Sequence, residues 1–94
     1  MASTLANFNT LAVPAAAPAL QVVAPFSSRC YLEILNIGTD DVLIRADQDP
    51  AAGDPASFTL PTGAQITPLI NGATGLRLLA PGGPGSVSIA IIYL

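Results

Sequence analysis

The sequence predicts an all-β protein: a small antiparallel β-sandwich or barrel, jelly-roll-like in its winding, with about six to seven short strands and an extended N-terminal arm. From residue 19 onward, apolar residues recur with a period close to two, the spacing of a strand that buries one face. Turn-forming Gly, Pro, Asn and Asp residues separate these stretches about every ten residues. No stretch follows the helical period of about 3.6 residues.

The centre of the predicted domain reads as a hairpin. Residues 30–37 are apolar on nearly both faces, which is typical of a strand covered on both sides. Residues 38–41, Gly-Thr-Asp-Asp, supply a tight turn. Residues 42–46 then return as the second strand, with Val42 and Ile44 facing the core.

The remaining strands are short and bounded by turn signals. Pro68 cannot donate a ladder hydrogen bond, so the stretch that contains it is an edge strand or is broken there. The last stretch of the chain alternates most cleanly between its two faces. These further strands are predicted at residues 20–24, 57–60, 64–70, 76–80 and 86–94.

The N-terminal residues 1–18 differ from the β-domain predicted at 19–94. Pro14 and Pro18 flank three alanines, a pattern that favours extended, polyproline-like backbone. The segment is either a frayed terminus or an arm that lies along a neighbouring subunit or shell; its apolar residues favour the arm. The residues expected to contact a partner are Leu5, Phe8, Leu11 and Val13.

Composition limits the possible functions. Of the 94 residues, 51% are hydrophobic and only 10% are charged, which predicts self-association or docking on a larger surface. Three arginines, no lysine and a net charge of −3 argue against binding nucleic acid or an anionic membrane. A single cysteine and no histidine leave no internal disulfide and no structural zinc site.

The acidic residues do not form a recognisable site. Asp47, Asp49 and Asp54 could supply oxygen ligands for calcium, but their spacing does not match a calcium-binding loop. We therefore interpret them as solvated carboxylates of a connecting loop. Glu33 lies within a strand, and we expect it to pair with Arg45 across the hairpin.

Catalytic chemistry lacks the residues it needs. Cys30 has no histidine to activate it, and a buried strand cysteine is usually inert. The Gly-rich residues 81–85 have neither a lysine nor a following helix, so they do not resemble a phosphate-binding loop. The sequence predicts a protein that is not an enzyme, with no catalytic residue, cofactor or metal.

Three segments together resemble a small β-domain encoded by tailed bacteriophages. They are RCYLEILNIG at residues 29–38, VLIR at 42–45 and FTLPTG at 58–63. In that family an Arg precedes a strand with an Asn-x-Gly ending, a second strand follows the turn, and a Phe-x-Leu-x-x-Gly segment comes next. The resemblance extends over residues 26–94 and leaves the N-terminal arm unmatched.

The resemblance implies a structural protein of the virion, made in the host cytoplasm. Its implied role is capsid decoration or cementing, in which a homotrimer or other homo-oligomer binds the major capsid protein or another virion protein on the outer shell. Two alternatives stay open: a neck, tail or baseplate component, and a receptor- or carbohydrate-binding module that uses loops 47–56 and 71–75.

Overall fold

The computed structural model of the chain describes residues 2–4, 9–25, 28–92 and 94, and side chains from residue 9 onward. The described residues form ten β-strands and no helix, which confirms the all-β class. The strands form two sheets.

Sheet A contains five strands in the order β1-β3-β9-β5-β6. Neighbouring strands from β3 to β6 pair antiparallel. At the other edge of the sheet, β1 pairs parallel to β3. The strands are β1 (Ala2–Thr4), β3 (Leu20–Val23), β5 (Val42–Arg45), β6 (Phe58–Leu60) and β9 (Leu76–Leu79).

Sheet B is antiparallel throughout and has the order β2-β10-β4-β7, with β8 also paired to β4. Two long strands of eight residues form its centre. The strands are β2 (Asn9–Val13), β4 (Arg29–Asn36), β7 (Gln65–Ile66), β8 (Leu69–Asn71) and β10 (Gly85–Ile92).

Inward-facing side chains of both sheets form one core, as the alternation in the sequence predicts. The two sheets are open and, among the described strands, do not join into a closed barrel. The jelly-roll winding stays a prediction. The largest fully buried aliphatic side chains of the core are Leu32, Ile34, Leu60, Leu78, Ile89, Val13, Val22, Val42 and Val87.

The predicted hairpin of residues 30–46 is wrong, because β4 lies in sheet B and β5 in sheet A. The connection between them crosses from one sheet to the other around Asn36, a fully buried polar residue. Its side-chain amide donates to the carbonyl oxygens of Asp40 (2.8 Å) and Leu60 (2.9 Å), and its Oδ1 accepts from the backbone of Gly38 (3.0 Å). These bonds satisfy a polar group that would otherwise be costly to bury.

The predicted break at Pro68 is confirmed. The stretch 64–70 contains two short strands, β7 and β8, which pair with different parts of β4. The Pro68 carbonyl still accepts a hydrogen bond of 3.0 Å from the backbone of Leu32, so β4 keeps a partner across the break.

The N-terminal segment differs from the separate arm that we expected. β1 pairs with β3, and β2 pairs with β10 over five residues, so the segment adds an edge strand to each sheet of its own chain. Val13 is 1% exposed within the core, and Leu11 is half-buried against it. These two side chains are therefore not available to a partner in this structure. Leu5 and Phe8 lie outside the described residues.

Candidate interaction surface

The outer face of sheet A carries two arginines side by side. Arg45 on β5 and Arg77 on β9 are direct cross-strand partners, so both side chains project from the same face of the sheet. Like charges in this position repel each other and destabilise a sheet. The surrounding residues must therefore neutralise them.

The acidic loop 46–57 supplies that neutralisation. Asp47 accepts two hydrogen bonds from Arg45, from Nε to Oδ1 at 2.6 Å and from Nη2 to Oδ2 at 3.1 Å. Asp54 accepts a third from Arg45 Nη1. Asp49 lies 3.8 Å from Arg77 Nη1 and also accepts a 3.3 Å hydrogen bond from the backbone of Ala19.

The ionisation of the loop follows from these contacts. The hydrogen bonds to Asp47 raise the pKa of Arg45 and lower the pKa of Asp47. The pKa of Asp54 is lowered first by the backbone N–H of Ala56, which donates to its carboxylate, and then by Arg45 and Ser57. Both carboxylates therefore stay charged at neutral pH and hold the arginine in place.

The prediction that Glu33 pairs with Arg45 is wrong. Arg45 is bonded to Asp47 and Asp54, and Glu33 lies in the other sheet, where its cross-strand neighbour is Ala90. The interpretation of the loop as a set of solvated carboxylates holds for Asp47, which is exposed, but it did not include the contacts with the arginines, and Asp49 and Asp54 are half-buried. No group of three or more potential metal ligands occurs among the residues described.

The apolar part of the outer face of sheet A is buried, and Ala52 of the acidic loop lines the same cleft as Leu43. Leu43 and Leu79 are direct cross-strand partners two residues from Arg45 and Arg77, so they point outward with them. They are nonetheless only 6% and 8% exposed. These two leucines therefore offer little apolar surface to a partner.

The outer face of sheet B is different, because several large apolar side chains of its described strands are exposed. Tyr31 on β4 pairs directly with Ile92 on β10 and with Leu69 on β8, so the three side chains form one row across three neighbouring strands. They are exposed by 37%, 41% and 40% respectively. We call these three residues the apolar row. Neighbouring exposed apolar side chains are a feature of protein interaction surfaces.

The apolar row lies between two unpaired charges. The strands of sheet B contain only two charged residues, Arg29 and Glu33, both on β4 and both on the outer face. Their cross-strand neighbours, Asn71 and Ala90, carry no charge. Within the described part of the chain neither residue forms an ion pair.

A second feature is the apolar cleft of about 430 Å³ at one open side of the molecule. It lies between the edge strands of the two sheets, and the ring of Phe58 is 51% exposed beside it. The guanidinium of Arg45 is already bonded to the acidic loop. The main apolar side chains of the cleft are Ile44, Phe58, Ile66, Pro68 and Leu76.

Another cleft, of about 390 Å³, is lined by Asp40 and Asp41 together with Leu43, Ala52 and Pro81. Asp40 packs against the backbone of Gly82, where an added Cβ would lie 3.1 Å from its Oδ1. Cys30 is fully buried, and burial raises the pKa of its thiol. A cysteine in that state is a poor nucleophile.

No protein-family model, curated protein or solved structure gives a significant match to the chain. The part of the chain described by the structure includes no helix long and apolar enough to cross a membrane.

Sequence reasoning missed three features that the structure reveals: the buried Asn36, the facing arginines and the apolar row. Asn36 occupies an inward position of the alternating strand, so its burial could have been read from the pattern. The other two depend on which strands pair, which the sequence does not show.

Proposed function

We propose that the chain is a non-enzymatic structural protein that works by assembling with copies of itself and with a larger protein surface. The observation that carries the proposal is the contrast between the two outer faces. On the outer face of sheet A the arginines are bonded to the acidic loop and the leucines are buried, whereas the described strands of sheet B expose the apolar row and only two charges. A face with so few charges loses little solvation when a protein partner covers it.

The physical setting we propose is the virion. The resemblance to small phage β-domains favours a capsid decoration or cement protein that binds the outer shell as a homo-oligomer, with a homotrimer as the expected form. The major capsid protein or another virion protein would be the partner. Burial of apolar side chains, worth about 25 cal/mol per Å², would stabilise each contact. Many weak contacts on one shell then act together through multivalency.

Copy number in purified particles of the source phage tests this role. Quantitative mass spectrometry with a labelled standard gives the ratio of this chain to the major capsid protein. A ratio near one copy per few capsid subunits supports shell decoration. A handful of copies per particle places the chain at the neck, tail or baseplate, and none would rule out the virion role.

A recognition module is the second candidate, and the apolar cleft beside Phe58 is the observation that favours it. An exposed aromatic ring can stack on the face of a sugar. The loop carboxylates are less suited to that task, because Asp47 and Asp54 are bonded to Arg45. Binding on a glycan array that is lost in Phe58→Ser and kept in Tyr31→Ser would support this function over assembly.

A further inference from the structure

We infer that two copies of the chain pack face to face through sheet B, about a two-fold axis that runs along the apolar row. The inference deepens the proposed structural role, on which it rests, by naming the first partner as a second copy and by specifying the contact.

The geometry follows from the cross-strand register. Ile92, Tyr31 and Leu69 lie on one line perpendicular to the strands. A two-fold axis along that line places each of the three side chains against its own counterpart. It also reverses the strand direction, so that β4 of one copy runs antiparallel to β4 of the other. Sheets packed face to face in this way lie about 10 Å apart.

The charges select this arrangement. Arg29 and Glu33 stand two residues before and two residues after Tyr31 on the same face of β4. At about 3.3 Å per residue, each is about 7 Å from the axis, on opposite sides of it. The two-fold operation therefore sets Arg29 of each copy against Glu33 of the other. Two reciprocal ion pairs form around an apolar centre.

The alternative packing is disfavoured by the same two residues. If the copies met with their β4 strands parallel, Arg29 would face Arg29 and Glu33 would face Glu33. Like charges at an interface oppose association. The positions of Arg29 and Glu33 therefore disfavour the parallel orientation and favour the antiparallel one. Within a single copy the two charges are about 13 Å apart along the strand, too far to pair with each other.

The size of the face sets the expected affinity. Across β10, β4 and β8, strands of eight, eight and three residues at spacings of about 4.8 Å give roughly 300 Å² per copy. Stable interfaces bury about 800 Å² per partner, so this contact should be weak, with a dissociation constant in the micromolar range or above. Contacts of that strength become populated where copies are concentrated, as on a shell. Two-fold symmetry also differs from the homotrimer suggested by the resemblance.

Charge reversal tests the inference on the isolated full chain. Sedimentation equilibrium, run from low micromolar to near-millimolar concentration, measures the monomer–dimer constant. Glu33→Arg alone and Arg29→Glu alone should each weaken the dimer about tenfold or more, because like charges then face each other. The double variant with both reversals restores opposite charges and should recover the native constant to within about threefold.

Asp41→Arg is the matched control, since it makes the same charge change as Glu33→Arg on an exposed loop outside sheet B. It should leave the dimer constant unchanged. Tyr31→Ser, which alters the apolar row without changing charge, should also weaken the dimer. Circular dichroism checks that every variant is folded, and added salt should weaken the native dimer without any mutation.

Two outcomes overturn the inference. One is a native chain that stays monomeric across the whole concentration range. The other is a dimer whose dissociation constant is unchanged by either single charge reversal, by added salt and by Tyr31→Ser. Neither outcome affects the copy number measured in particles, so failure of the two-fold contact and failure of the structural role are separately visible.

Discussion

At the scale of the residue, Asn36 is the polar link between the two sheets. It belongs to β4 of sheet B, and its amide nitrogen reaches the carbonyl of Leu60 in sheet A. The same side chain fixes the crossing segment through Asp40 and Gly38. The Asn-x-Gly ending of β4 thus has a physical reason: an added Cβ at position 38 would lie 2.9 Å from the backbone nitrogen of Ser86.

Replacing Asn36 with Ala should therefore lower the free energy of unfolding by about 2–4 kcal/mol, because the buried carbonyl of Leu60 and the half-buried backbone groups of Asp40 and Gly38 lose their partner. Chemical denaturation monitored by circular dichroism measures the change. Asn71→Ala is the matched control, since Asn71 is exposed and its side chain caps a turn by accepting from Ala73. Its cost should be about 1 kcal/mol or less. Equal costs at both sites would contradict the role given to Asn36.

Gly75 is a position at which the backbone requires glycine. Its φ is +62°, and an added Cβ would lie 1.6 Å from the carbonyl oxygen of Val22 on the neighbouring strand. Gly75→Ala should cost several kcal/mol, of order 3 or more, because backbone must move. Gly53→Ala is the control: its φ is +79°, but nothing lies within 4 Å of the added Cβ, so only about 1 kcal/mol of backbone strain is expected. Thermal unfolding of the two variants compares them directly.

At the scale of the element, the acidic loop makes stability depend on pH. Asp47 and Asp54 have a lower pKa in the folded chain than in the unfolded chain. Their contribution to stability is therefore fully present above the unfolded value of about 3.9 and is lost as the pH falls through the lower folded values.

We expect the melting temperature of the native chain to fall on going from about pH 5 to pH 2. In Arg45→Gln the carboxylates lose their cationic partner, so this fall should be smaller although the variant is less stable at neutral pH. Arg29→Gln removes the same charge from sheet B and should keep the native slope. Calorimetry across the pH range checks both, and identical slopes for all three proteins would show that the arginine–carboxylate contacts contribute nothing.

The elements also show how far the sequence can predict this fold. Local signals located the strands well: β3, β6, β9 and β10 fall where period-two alternation predicts them, and the break at Pro68 lies where the missing donor requires it. Which strands pair is harder to predict from the sequence. The turn at 38–41 has the composition of a hairpin turn, yet it connects two different sheets. What decides between hairpin and crossover is the bonding of Asn36, a tertiary contact with Leu60.

The same limit applies to the candidate surface. The apolar character of Tyr31, Leu69 and Ile92 can be read from the sequence, but Ile92 lies 61 positions after its partner Tyr31. Only the register brings them into one row. Arg45 and Arg77 likewise face each other only because β5 pairs with β9. The contacts of the acidic loop with these arginines therefore cannot be predicted from the sequence.

At the scale of the whole molecule, the described parts of the N-terminal segment contribute to both sheets. β1 and β2 are edge strands of the two sheets, and the Pro14 carbonyl accepts a 2.8 Å hydrogen bond from Ala80 as the segment leaves sheet B. Without β2, the eight-residue β10 would become an edge with unpaired backbone groups. An exposed apolar edge of that length promotes aggregation.

Deletion of residues 2–13 should therefore destabilise the domain itself, contrary to what a detachable arm would predict. The deletion removes the fully buried Val13 and a five-residue ladder, so a loss of order 3–5 kcal/mol is expected, a large part of the 5–15 kcal/mol that is usual for a domain. Chemical denaturation gives the loss, and light scattering detects the exposed edge. Val13→Ala in the full chain is the control, with an expected cost of about 2 kcal/mol from the cavity alone. A truncated chain as stable and as monodisperse as the native one would contradict the packing of β1 and β2 and restore the segment as an arm for a partner.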